Sequence, residues 1–104
     1  MSGVISDFQG KALLAPLAGV TNLPFRLVAR RFGCSLCFTE MISANGLIHG
    51  SSQTLEYLKT SPEDRPLGVQ LFGADPVVMA RAATMIAAKN PALIDINMGC
   101  PVKK

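Results

Sequence analysis

Four short apolar runs, separated by helix-like or loop-rich stretches, constrain this chain more than any other feature. Ala12 to Pro16 reads as a first strand, closed by a proline that cannot donate a ladder hydrogen bond. Leu36 to Met41 reads as a second, Leu67 to Phe72 as a third and Leu93 to Met98 as a fourth. The clearest intervening helix runs from Asp75 to Lys89. Asp75 can cap it, and Pro76 occupies the first helical position, where a missing N–H costs nothing. Met79, Ala83 and Ile86 then share one face, and Asn90-Pro91 ends it. Leu23 to Phe32 is a shorter helix, with Arg26, Arg30 and Arg31 expected on or near its outward side. The stretch from Ile42 to Thr60 is less regular, and a helix broken around Gly46 and Gly50 is expected there.

Strands and helices in alternation imply parallel strands covered by helices. A barrel and an open doubly wound sheet both satisfy that pattern. No Gly-x-Gly-x-x-Gly follows the first strand, which tilts the choice towards an eight-stranded α/β barrel. Such a barrel usually takes about 250 residues. The 104 residues here supply strands for half of one and stop at Lys104, directly after the fourth strand's loop. The expectation is α/β: the N-terminal half of a (β/α)8 TIM barrel, occupying residues 1–104 as one partial domain that reads as cut off.

Composition fits a folded chain of that kind, with 49% hydrophobic and 16% charged residues. Apolar runs of a few residues do not span a bilayer, and the N-terminus lacks the basic flank and apolar stretch of a signal peptide. A cytoplasmic location follows by default. The net charge of +3 permits an acidic or phosphorylated partner without demanding one.

Side chains alternate between the faces of a strand. Val69 and Leu71 share one face of the third strand, and Gly68, Gln70 and Phe72 the other. Ile94 and Ile96 share one face of the fourth, and Asp95 and Asn97 the other. The aliphatic faces suit the helices, so Gln70 and Asn97 point inward near the C-terminal strand ends, where active sites of such barrels gather. Two amides at matching heights either satisfy buried backbone or hold a ligand. An amide can donate to and accept from a flavin ring or a pyrimidine edge. The Gly99-Cys100-Pro101 that follows favours the ligand site.

An inert buried thiol is the commoner fate of a cytosolic cysteine, but Cys100 lies in a strand-end loop, and loops on a rigid scaffold carry function. A thiol with a reference pKa of about 8.5 stays largely protonated near neutrality and can act as a general acid. Cys34 and Cys37 form a lone Cys-x-x-Cys without two further zinc ligands, and are read as structural; no metal site is expected. His49, the only histidine, is read as a surface or loop residue.

Taken together, Ala15 to Thr21, Thr39-Glu40-Met41, Val69 to Gly73 and Asp95 to Pro101 resemble the successive strand-end motifs of bacterial tRNA-dihydrouridine synthases, in the family's order and spacing. Leu17 departs from the family pattern, which commonly has methionine there. The resemblance implies a barrel carrying FMN and reduced by NADPH, which reduces the C5–C6 double bond of a uridine in tRNA. By position, Cys100 would be the proton donor. Pro16, Leu17 and Ala18 would contact the flavin largely through backbone, Gln70 would bind its ring, and Asn97 would hold the uracil edge. The family's later flavin contacts and its C-terminal tRNA-binding helical domain have no counterpart in these residues, so this stretch alone is expected to be inactive. A dihydroorotate dehydrogenase type of FMN barrel is the nearest enzymatic alternative, and a non-catalytic half-barrel the other.

Overall fold

The computed structural model describes residues 4–99. In chain order the elements are α1 (Val4–Asp7), β1 (Leu13–Leu14), α2 (Leu23–Arg31), β2 (Leu36–Phe38), β3 (Ile42–Ser43), α3 (Ala44–Ile48), α4 (Ser52–Tyr57), β4 (Leu67–Phe72), α5 (Pro76–Ala87) and β5 (Leu93–Ile96). Every strand pairing is parallel: β1 with β2, both β2 and β3 with β4, and β4 with β5. The architecture is that of the first half of a (β/α)8 barrel.

The pairing of β4 explains why five strands occupy four places. Its carbonyls alternate between its edges. Gly68 O accepts from Thr39 N (3.0 Å), whereas Leu67 O and Leu71 O accept from Ala92 N and Asn97 N (both 2.8 Å). β2 and β3 therefore line one edge and β5 the other. Phe38 pairs with Gly68 and Ile42 with Leu71, so four steps along one chain match three along the other. One residue is extra, which is a β-bulge. The expected single strand from Leu36 to Met41 is thus corrected to two short strands with a bulge between them. Thr39 Oγ1 closes the gap, accepting from Gln70 N (3.3 Å) and donating to Glu40 O (2.8 Å).

The core lies between the sheet and its helices, where Ile42, Leu47, Leu58, Leu67, Val69, Leu71, Ala82 and Ile86 pack together. Leu67, Val69 and Leu71 alternate onto that side as expected. α5 adds Ala82 and Ile86, with Val78, Met79 and Ala83 packed partly against them. Asp75 caps α5 through Oδ1, which accepts from Val77 N at 2.8 Å and Val78 N at 3.3 Å. On the inward side the Phe38 ring covers Gly68 so closely that a Cβ there would lie 2.6 Å from Phe38 Cε2.

Of two expectations about the helices, the broken helix in the 42–60 stretch holds except for the part given to Gly46, and the outward arginines of α2 are corrected. The break in the 42–60 stretch falls at Gly50, with φ of +70°, while Gly46 sits inside α3. A Cβ at Gly46 would collide with Thr54 Oγ1, so that glycine serves the close approach of α3 and α4. Arg26 is fully buried and Arg30 nearly so; only Arg31 points outward. Asp64, itself at 0% exposure, is the reason. Its Oδ2 accepts from Arg26 Nε (3.0 Å), Arg26 Nη2 (2.7 Å) and Thr60 Oγ1 (2.9 Å), and its Oδ1 from Arg30 Nε (2.9 Å). Arg26 also donates to the carbonyls of Thr21 and Lys59, and Arg30 to that of Pro66. Buried charge is tolerated because each Arg26 nitrogen donates to an acceptor and Asp64 accepts from Arg26, Arg30 and Thr60. Burial alone would raise the Asp64 pKa, but the hydrogen bonds and charge of Arg26, helped by Arg30 and Thr60, hold it below the ordinary 3.8.

Candidate functional site

The C-terminal ends of the parallel strands bring together three groups of residues. The first is the turn after β1. Leu17 O accepts from Val20 N and Thr21 N (both 3.0 Å), and Leu17 N donates to the fully buried Thr21 Oγ1 at 3.2 Å. Gly19 adopts φ of +75°, a left-handed conformation that glycine takes freely. Its N–H donates to Glu40 Oε1 at 2.6 Å. Glu40 is itself 6% exposed, so a buried carboxylate in the β2–β3 bulge anchors the turn that carries Pro16, Leu17 and Ala18.

The second group is the amide pair. Gln70, inward on β4, donates from Nε2 to Asp95 Oδ2 at 2.6 Å. Asn97, just past β5, donates from Nδ2 to Gln70 Oε1 (3.4 Å) and to Met41 Sδ (3.7 Å). Asn97 Oδ1 accepts from Gly99 N at 3.0 Å. Gln70 and Asn97 share the inward face, as the alternation predicts, and both are half-buried; their expected matching heights are corrected, because the register sets Asp95 opposite Gln70 and Asn97 two residues further along, reaching back to touch it. Cys100 lies outside the described residues.

The third is a cavity of about 170 Å³ bounded by Ala18, Glu40, Met41, Ser43, Thr54 and Phe72, among others. It links the first two groups: Ala18 belongs to the turn, and Met41 also touches Asn97. Among the described residues no hydrogen bond joins Pro16, Leu17 or Ala18 to Gln70 or Asn97. The two sides share a rim without touching. Chemically, the rim offers amide donors and acceptors beside backbone and apolar surface, a set that suits a planar heterocycle.

Glu40 and Asp95 are the site residues that sequence reasoning passed over. Alternation put Asp95 on the inward face with Asn97, and an acidic residue in so apolar a strand was the available signal. Glu40 carried the same signal in the second run. Its partner, Gly19, is 21 residues away and nothing local announces it. Cys37 is fully buried, and burial pushes its thiol pKa up, with Arg30 opposing; Cys34 is half-buried.

A half-barrel of parallel strands with amides and carboxylates gathered at its C-terminal rim belongs to the α/β-barrel class. Residues 13–104 match the dihydrouridine synthase (Dus) family, and the chain belongs to it. It is 42% identical over 94 residues to a tRNA-dihydrouridine synthase B of Xanthomonas campestris, covering 90% of this chain and 28% of that protein. It is 43% identical over 96 residues to a probable tRNA-dihydrouridine synthase of Rhizobium leguminosarum, covering 92% and 30%. A Pseudomonas aeruginosa tRNA-dihydrouridine synthase B is 40% identical over 94 residues, with 90% and 28% covered. The chain thus spans less than a third of the length of these relatives. The match decides against the dihydroorotate dehydrogenase type.

Proposed function

We propose that these residues form part of a flavin-dependent tRNA-dihydrouridine synthase that reduces the C5–C6 double bond of a uridine in tRNA in the cytoplasm. The observation that carries the reading is the hydrogen-bonded Gln70–Asn97 pair at the strand-end rim of a chain that belongs to the dihydrouridine synthase family.

The rim fits a flavin ring. Gln70 uses one Nε2 hydrogen on Asp95, leaving the other and the half-open amide face for a heterocycle edge. When bound, FMN reduced by NADPH supplies the hydride for C6 of the uracil ring. Gln70 holds the ring edge from the inward face of β4. Pro16, Leu17 and Ala18 meet it mainly through backbone, in the turn that Glu40 fixes. Asn97 holds the uracil edge, and the Cys100 thiol gives its proton to C5. The uridine must leave its stack to reach this rim.

The test uses the natural polypeptide that carries residues 1–104, with NADPH, FMN and tRNA lacking dihydrouridine. Mass spectrometry of digested tRNA should show a uridine gaining two hydrogens, and Cys100→Ala should abolish most of that gain. Full activity in Cys100→Ala would remove the proton-donor assignment. No reduction by the unsubstituted protein would remove the function.

A further inference from the structure

The hydrogen bonds at the rim run in one direction. Gly99 N–H donates to Asn97 Oδ1, Asn97 Nδ2 to Gln70 Oε1, and Gln70 Nε2 to Asp95 Oδ2. Each amide has a donor end and an acceptor end and could be turned over at little cost by itself. Only the last member is different, because an ionised carboxylate accepts and never donates. It therefore decides which end of Gln70 faces it. With Nε2 committed there, Oε1 must face Asn97, and Asn97 in turn must offer Nδ2 to Gln70 and Oδ1 to Gly99. Reversing either amide would set two donors or two acceptors against each other.

Holding β4 to β5 does not require this residue. The two strands are already paired through four consecutive residue pairs, Gly68 with Leu93 to Leu71 with Ile96. Aspartate is also among the residues depleted in strands, so its presence inside β5 works against strand stability. We propose that Asp95 is a positioning residue, setting the donor and acceptor directions of Gln70 and Asn97 towards the ring and the substrate. The role rests on the flavin reading of the rim.

The first readout needs no flavin. In proton–nitrogen spectra of the flavin-free natural polypeptide, one Gln70 side-chain amide proton should lie well downfield and exchange slowly. Asp95→Asn should remove that shift. Ordinary Gln70 amide signals in the unsubstituted protein would overturn the inference, and this holds even if Asp95→Asn fails to fold.

The second readout is on flavin-loaded protein. Asp95→Asn should change the flavin absorption spectrum and reduction potential, and lower kcat about tenfold with KM for tRNA little altered. A role confined to joining strands would lower the melting temperature and leave potential and kcat unchanged, which would also overturn the inference. If the unsubstituted protein takes up no flavin, the functional reading is what fails, and the Gln70 amide signals alone decide Asp95.

Discussion

Glu40 Oε1 accepts the Gly19 N–H at 2.6 Å, tying the turn after the first strand to the bulge between β2 and β3. The contact spans two neighbouring strand ends and fixes the backbone on which flavin binding is proposed to depend. Glu40→Ala should cost about 1–3 kcal/mol, because a charge-assisted hydrogen bond is lost at a buried place. Glu40→Gln keeps an acceptor and should lose less. Urea denaturation gives the stability, and flavin fluorescence quenching should show weaker binding in the same order.

Arg26 and Asp64 form an ion pair in which both side chains are fully buried. Arg26→Met leaves the Asp64 charge with Arg30 as its only cation and should destabilise the fold by about 3–5 kcal/mol. Denaturant melts at neutral pH measure this directly.

The same pair sets a pH dependence. The Asp64 pKa is lower folded than unfolded, so its contribution is fully present above the ordinary 3.8. It is lost as pH falls from there through the depressed folded value, because the unfolded chain takes up the proton first. Melts between pH 7 and pH 3 should show stability falling at the acid end. Asp64→Asn should be less stable at neutral pH and flatter in acid.

Gly46 and Gly50 should respond to alanine for different reasons. At Gly46 the new Cβ meets Thr54 Oγ1, and overpacking of that kind costs about 1–3 kcal/mol. At Gly50 there is space but φ is +70°, so the cost is backbone conformation alone, about 1–2 kcal/mol. Adding Thr54→Ser, which keeps the hydroxyl, should not rescue Gly46→Ala; Thr54→Ala should rescue it in part. Thermal melts of the four variants check the pattern.

Cys37 and Cys34 should differ in reactivity. Cys37 is fully buried with a raised thiol pKa, so iodoacetamide should label Cys34 first and Cys37 only on unfolding. Peptide mass mapping after timed labelling separates them.

The third and fourth strands were legible because Val69, Leu71 and Ile94 alternate with residues that helices would not cover. Asp75-Pro76 announced the start of α5 for equally local reasons. The same alternation put Gln70 and Asn97 on one face, and they do touch. What escaped notice depends on partners distant in sequence. Arg26 looks like a surface residue until Asp64 arrives from 38 positions away. The interruption of the second strand is invisible in an apolar run, since it is made by Thr39 Oγ1 taking the place of a ladder carbonyl opposite Gln70. Even α3 and α4 were half-read: Gly50 breaks the helix through its own backbone, whereas Gly46 matters only because Thr54 packs on it.

The extra residue between β2 and β3 changes which way the chain looks. With unbroken pleating, Phe38 and Ile42 would project to the same side. Instead Phe38 covers Gly68 inside, Ile42 joins Leu71 in the core, and Ser43 turns to the cavity beside Phe72. A single inserted step thus lets one wall of the barrel switch parity halfway up, greasy below and polar at the lip. Deleting one residue from 39–41 would leave three steps between Phe38 and Ile42, the number that Gly68 and Leu71 already span, so the bulge should vanish while Ile42 keeps its place in oil and Ser43 its place at the mouth.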